Sequence, residues 1–182
     1  FYIYAFECSE DNVPFMSIPV SYHKNVKNVS YDEIDMYARK NDIFIFEAPT
    51  KAFNQFLALA KLKKCKVVYE NIDNWETSLG SILFDRETLE NMIREADMIV
   101  ATAQKLVEQT ENYVKKYSDE KKKVYYLPNA VDDELFDPRK NYEKPNDLIL
   151  GEKNLLYYGS LWGEWFDWEI IKNLAKDKTV SI

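Results

Sequence analysis

The chain has 182 residues, 46% hydrophobic and 15% aromatic, enough for the packed core of one ordinary domain or of a domain and a piece. Its net charge of −7 excludes a protein that grips nucleic acid through phosphate contacts, which need a basic surface. Two cysteines, Cys8 and Cys65, make no disulfide framework. No signal peptide is visible and no apolar run nears the roughly 20 residues that span a bilayer, so a cytoplasmic setting is expected.

In chain order, Phe1–Phe6 is an apolar run that predicts a strand. Residues 7–28 read as irregular, with a short strand at Phe15–Val20 between Pro14 and Pro19. Ser30-Tyr31-Asp32-Glu33 is a capping box: the serine oxygen takes the N3 amide while Glu33 reaches back. A short helix to Lys40 follows. Asp42–Glu47 is a buried strand with Ile-Phe-Ile-Phe at its heart, stopped by Ala48-Pro49. Lys51–Lys64 is a helix, with Phe53, Phe56, Leu57, Ala60 and Leu62 roughly on one side. Lys66–Tyr69 is a strand, Arg86–Glu95 a helix, Met98–Ala101 a strand. Gln104–Lys116 is a helix with Leu106, Val107 and Val114 inward, and Val124–Leu127 a strand ended by Pro128-Asn129. Asp137–Lys153 is polar, holds Pro138 and Pro145, and reads as a linker. Asn154–Tyr158 then starts a new strand and Trp168–Lys176 a new helix. Both ends read as cut, the last at Thr179–Ile182, the first half of a strand. The expected organisation is a domain over 1–136, a linker over 137–153 and the beginning of a second domain over 154–182.

Short apolar strands that alternate with helices of ten or more residues are the signature of βαβ units and a parallel sheet. The expected class is α/β: a Rossmann-like parallel sheet with helices on both faces, followed by the first elements of a second such domain. Right-handed crossovers put every strand's C-terminal end on one rim, where ligands gather. Glu47, Glu70, Asp73, Asn74 and Trp75 follow strands there. Each has a plainer reading. Glu47 serves equally as a hydrated strand end, Asp73 as a local cap, and Trp75 as packing under its loop. His23, the sole histidine, lies in the irregular segment and reads as a surface residue. The clusters Lys61, Lys63, Lys64, Lys66 and Lys115, Lys116, Lys121, Lys122, Lys123 sit at helix ends, where cations suit the dipole.

Four segments, in order, carry a resemblance. Lys66-Val67-Val68-Tyr69-Glu70-Asn71-Ile72-Asp73-Asn74-Trp75 resembles a "vvYd..D.w" strand end, and Glu95–Leu106 resembles "E..ADlVitsS..L". Val124–Phe136, with Pro128-Asn129-Ala130-Val131-Asp132, resembles "PNGVD…F". Leu155–Leu161 followed by Trp165-Phe166-Asp167 resembles "l.Y.G.l..wfD". Together they are similar to bacterial GT-B glycosyltransferases of the family 4 kind, from about Asp42 to the end.

The resemblance implies that the chain is the N-terminal, acceptor-side domain and the start of the donor domain of such an enzyme. The reaction implied is transfer of a sugar, as a retaining hexosyltransferase, from a nucleotide sugar to a hydroxyl acceptor, a sugar or lipid-linked sugar. Cell-surface polysaccharide or glycolipid synthesis is the setting, with peripheral contact at the inner membrane face through the lysine clusters. No metal or other cofactor is expected. Asp73 takes the catalytic position, orienting or deprotonating the acceptor hydroxyl, and Glu47, Glu70, Asn74 and Trp75 bind the acceptor, the indole by stacking on a sugar face. Asn129, Gly159 and Ser160 fall on the hinge and donor side. The chain departs from the commoner pattern after Gly159: Trp162, Glu164, Trp165, Phe166 and Asp167 stand where Arg and Lys would meet a diphosphate, and Asp167 reads as a helix cap. The glutamate pair that holds the donor is expected beyond Ile182, leaving this chain inactive alone. The residues also fit a non-catalytic Rossmann-like or flavodoxin-like binding module, or an interaction domain that keeps the fold without activity.

Overall fold

The computed structural model describes residues 3–5, 26–28, 31–78, 80–118, 121–143, 145–146, 151–159, 161 and 166–182. Cys8, the Phe15–Val20 strand, His23, Ser30, Ser160, Trp162, Glu164 and Trp165 lie outside them. The chain divides into two compact units, Phe1–Asn129 and Ala130–Ile182. The division falls at the Pro128-Asn129 turn. The expected linker therefore belongs to the second unit, whose segment 132–142 bonds to itself. Asp132 Oδ1 accepts the Leu135 amide at 2.8 Å, and the Tyr142 hydroxyl donates to the Leu135 carbonyl.

The first unit opens with β1 (Ile3–Ala5) beside β2 (Val26–Asn28), a parallel pair. Helix α1 (Tyr31–Tyr37) follows, ending short of the predicted Lys40. Asn41 then takes a left-handed turn, φ 72°, and its amide donates to the Lys64 carbonyl. The principal sheet has four parallel strands in sequential order: β3 (Ile43–Phe46), β4 (Lys66–Asn71), β5 (Met98–Ala101) and β6 (Val124–Tyr126). Helices α2 (Phe53–Lys63), α3 (Arg86–Glu95) and α4 (Gln104–Tyr117) connect them.

Because each strand lies beside its predecessor, crossovers of one hand all step the same way and land on the same side. Accordingly α2 packs on α3 and α3 on α4, and one core cluster joins their inner faces to Phe46, Val67, Tyr69, Ile99, Ala101 and Val124. Ile34 of α1 packs against that cluster and Ala38, just past the helix, belongs to it. The expected flanking on both faces is thus met, among the described residues, on one. A doubly wound sheet needs a reversal of strand order, and β3 to β6 contain none.

Local chemistry explains the helix limits. Asp85 caps α3, its carboxylate accepting the Thr88 amide at 2.8 Å, while Lys64 closes α2 in a left-handed conformation. Leu62, read as inward, is instead exposed, and Leu59 is buried in its place. Two residues off the apolar stripe turns a side chain to the opposite side of the cylinder. The lysines at helix ends serve structure: Lys61 pairs with Glu95, Lys63 with Asp35 and Lys66 with Asp97, and Lys122 donates to the last carbonyls of α3.

In the second unit, β7 (Lys153–Asn154) pairs in parallel with β8 (Val180–Ser181), and α5 (Trp168–Leu174) lies between them in sequence. Of the strand expected over Asn154–Tyr158, only Asn154 lies in β7. Leu156 and Tyr158 are left exposed. Asp167 does cap α5, accepting the Glu169 and Ile170 amides. Among the described residues no helix is long and apolar enough to cross a membrane.

Candidate functional site at the strand ends

The C-terminal ends of β3 and β4 carry the acids that the sequence singles out. Strand β4 is two residues longer than the predicted Lys66–Tyr69, so Glu70 and Asn71 belong to the ladder and not to the loop. Register explains their different surroundings. Tyr69 and Asn71 share a face with Val67, under the helices, and are buried. Glu70 points with Val68 to the other face, where its ladder partner is Val100. Burial, with the Glu47 charge nearby, pushes the Glu70 carboxyl above its ordinary value. Glu47 itself is exposed just past β3. The fold thus brings together two carboxylates that lie far apart in sequence.

The loop after β4 carries the other candidates. Asp73 is exposed, and its Oδ1 accepts the Asn74 amide at 2.7 Å. Asn74 is exposed as well, but its Oδ1 is occupied by the Glu76 amide at 3.3 Å and by Gln109 Nε2 at 3.0 Å. Trp75 is half-buried. Its Nε1 is enclosed without a partner among the described residues, and its backbone lies so close to Gly80 that a Cβ there would come within 2.8 Å of the Trp75 Cα.

Of the hinge and donor-side candidates, Asn129 is exposed at the end of the first unit and Gly159 is exposed in the second. An open depression of about 420 Å³ lies at the start of α2, lined by Lys51, Ala52, Asn54 and Gln55. No residue singled out from the sequence lines it. Among the described residues, no group of histidine, cysteine and acidic side chains has the geometry of a metal site.

Sequence reading missed the polar contacts that α4 makes with this loop. Thr110, wholly buried, accepts from Asn71 Nδ2 at 2.9 Å. The Tyr113 hydroxyl bonds the Glu76 carboxylate; burial first, and that bond next, push its pKa well up. Arg86 Nη2 reaches Glu76 at 3.6 Å, and Arg86 Nη1 donates to the Tyr117 hydroxyl at 3.1 Å. A signal was present: Thr110 is a polar residue in the Leu106–Thr110–Val114 stripe, at the four-residue spacing of a buried face. The start of α4 carries no side-chain cap. Ala103 is the cap residue and makes no side-chain bond, while the Thr102 hydroxyl donates to the Ile72 carbonyl at 3.3 Å.

No protein-family model, curated protein or solved structure matches this chain.

Proposed function

We propose that the first unit is the acceptor side of a GT-B glycosyltransferase, which moves a sugar from a nucleotide-sugar donor to a hydroxyl of a sugar or lipid-linked sugar. The observation that carries this reading is the meeting of Glu47 and Glu70 at the ends of adjacent parallel strands, with Asp73 in the loop that leaves the same strand. Ligands of parallel α/β sheets collect at that rim. Glycosyl transfer needs a group there that takes the proton of the attacking hydroxyl.

Glu70 suits that work because a carboxyl with a raised pKa is a stronger base once ionised and exchanges its proton nearer neutrality. Asp73, exposed and tied to its own loop by one local bond, orients the hydroxyl. The donor's nucleotide falls to the second unit in this reading. Trp75, half-buried, contributes to the shape of the loop more than to stacking.

Acceptor binding is tested on the chain itself. Titration with neutral mono- and disaccharides, followed by backbone amide shifts, should perturb Glu47, Glu70 and Asp73 before other residues. Saturating shifts confined to the start of α2, or none with any saccharide, would overturn the reading. In a transfer assay of the intact enzyme, Glu70→Gln should lower kcat by about a hundredfold or more, the usual contribution of one proton-transfer group. Asp73→Asn should lower turnover at an unchanged melting temperature.

A further inference from the structure

We infer that α4 is the positioning scaffold of the loop that presents Asp73, and that Gln109 and Thr110 set the loop's shape before any ligand arrives. That this loop meets an acceptor rests on the reading above; its anchoring by α4 does not.

On a helix of about 100° per residue, positions 109, 110 and 113 fall on one side, with 113 between the other two. That side faces the exit of β4. Thr110 Oγ1 takes the Asn71 amide group at 2.9 Å and passes its own proton to the Leu106 carbonyl at 2.6 Å, so its orientation is fixed from both ends. Gln109 Nε2 holds Asn74 Oδ1, and Tyr113 holds Glu76. Helix α4 therefore anchors the last strand residue, the residue after Asp73 and the residue after Trp75. The loop closes on itself between these anchors: the Glu76 amide donates to Asn74 Oδ1 and the Thr77 amide to the Asn74 carbonyl. From the opposite side, Gly80 approaches the Trp75 backbone more closely than any side chain would allow.

A loop held in this way has little freedom to lose when it binds, so Asp73 meets its ligand without a closing movement. Gln109 and Thr110 touch no reacting group in this arrangement. They act through Asn74 and Asn71.

Amide hydrogen exchange on the 182-residue chain tests the claim without a ligand. Gln109→Ala should speed exchange at Glu76 and Thr77 by about tenfold, the loss of one net hydrogen bond, while Tyr69 and Ile99 in the sheet keep their protection. Thr110→Ser, which retains the hydroxyl, should leave the loop as it was. Thr110→Val should loosen it. Because Thr110 is wholly buried and its loss endangers folding, the part-exposed Gln109→Ala is the decisive variant. Unchanged exchange at Glu76 and Thr77 in Gln109→Ala would overturn the inference, and so would an equal loss of protection throughout the sheet. If the loop loosens as expected while no saccharide binds the chain, the scaffold stands and the transfer reading falls. If saccharides bind and the loop is indifferent to Gln109, the reverse holds.

Discussion

The two faces of the principal sheet are made from the same kinds of residue and have opposite fates. Under the helices, Phe46, Val67, Tyr69 and Ile99 are almost wholly enclosed, with Tyr69 at 0% exposure. On the other face Ile43 and Ile45 stay 60% and 59% exposed, and Met98 and Tyr125 are also open, although Val100 at the centre is buried. Side-chain composition cannot produce that difference. It follows from strand order, which sends every connection in the described unit to one side. The candidate acids follow the same division. Glu70 points away from the helices, and residues 69 and 71 on either side of it are sealed beneath them.

The strongest test of this contrast pairs one substitution from each face. Leu89→Ala, in α3 and 1% exposed, should cost about 2–5 kcal/mol by the loss of contacts and the cavity left behind. Ile45→Ala should cost about 0.5 kcal/mol or less, as exposed sites do. Urea unfolding of both variants measures the difference, and equal costs would mean that the second face is covered in solution.

A smaller effect belongs to the start of α3. Asp85→Ala removes the carboxylate that accepts the Thr88 amide and the Thr88 hydroxyl, and should cost about 1 kcal/mol. Asp85→Asn, another good cap residue, should recover most of it. If Asp85→Ala were neutral in the same unfolding experiment, the covered face would not depend on the capping of its middle helix.

The contrast also predicts a pH signature. The Glu70 pKa is raised in the fold, by burial and by Glu47, so the folded state prefers its protonated form. The resulting stability is complete below the unfolded pKa and is lost as pH rises through the folded value. Glu70→Gln should therefore raise the melting temperature at neutral pH, with a gain that shrinks to nothing as pH falls through the ordinary glutamate range near about 4. A gain independent of pH would place its origin in something other than charge.

The smallest effect lies next door on the covered face. The Tyr69 hydroxyl is buried with no partner among the described residues, so Tyr69→Phe removes a polar atom that gains no hydrogen bond from them. Its stability should move by about 0.5 kcal/mol or less, toward greater stability. A clear loss in chemical denaturation would show that the hydroxyl is satisfied in solution.

Much of the first unit was legible along the chain, because short-range patterns fix it. Short apolar runs and period-3.6 spacing marked β3, β5, α3 and α4 to within a residue or two, whereas the first unit, expected to reach residue 136, ends at Asn129. The rim acids were legible too, since strand ends in a parallel sheet fall on one edge. What sequence could not give depends on partners distant along the chain. Glu70 and Asn71 joined β4 because β5 offers them Val100 and Ala101. The half-buried state of Trp75 follows from Gly80 and from the anchors on α4, and the one-sided helices follow from an order of strands that no local pattern encodes. Sequence determined which residues form each element, because backbone preference and apolar spacing act within a few residues. Tertiary structure decided which face each residue shares and which carboxylates meet, because those depend on register and strand order, physical contacts between segments that the chain itself keeps apart.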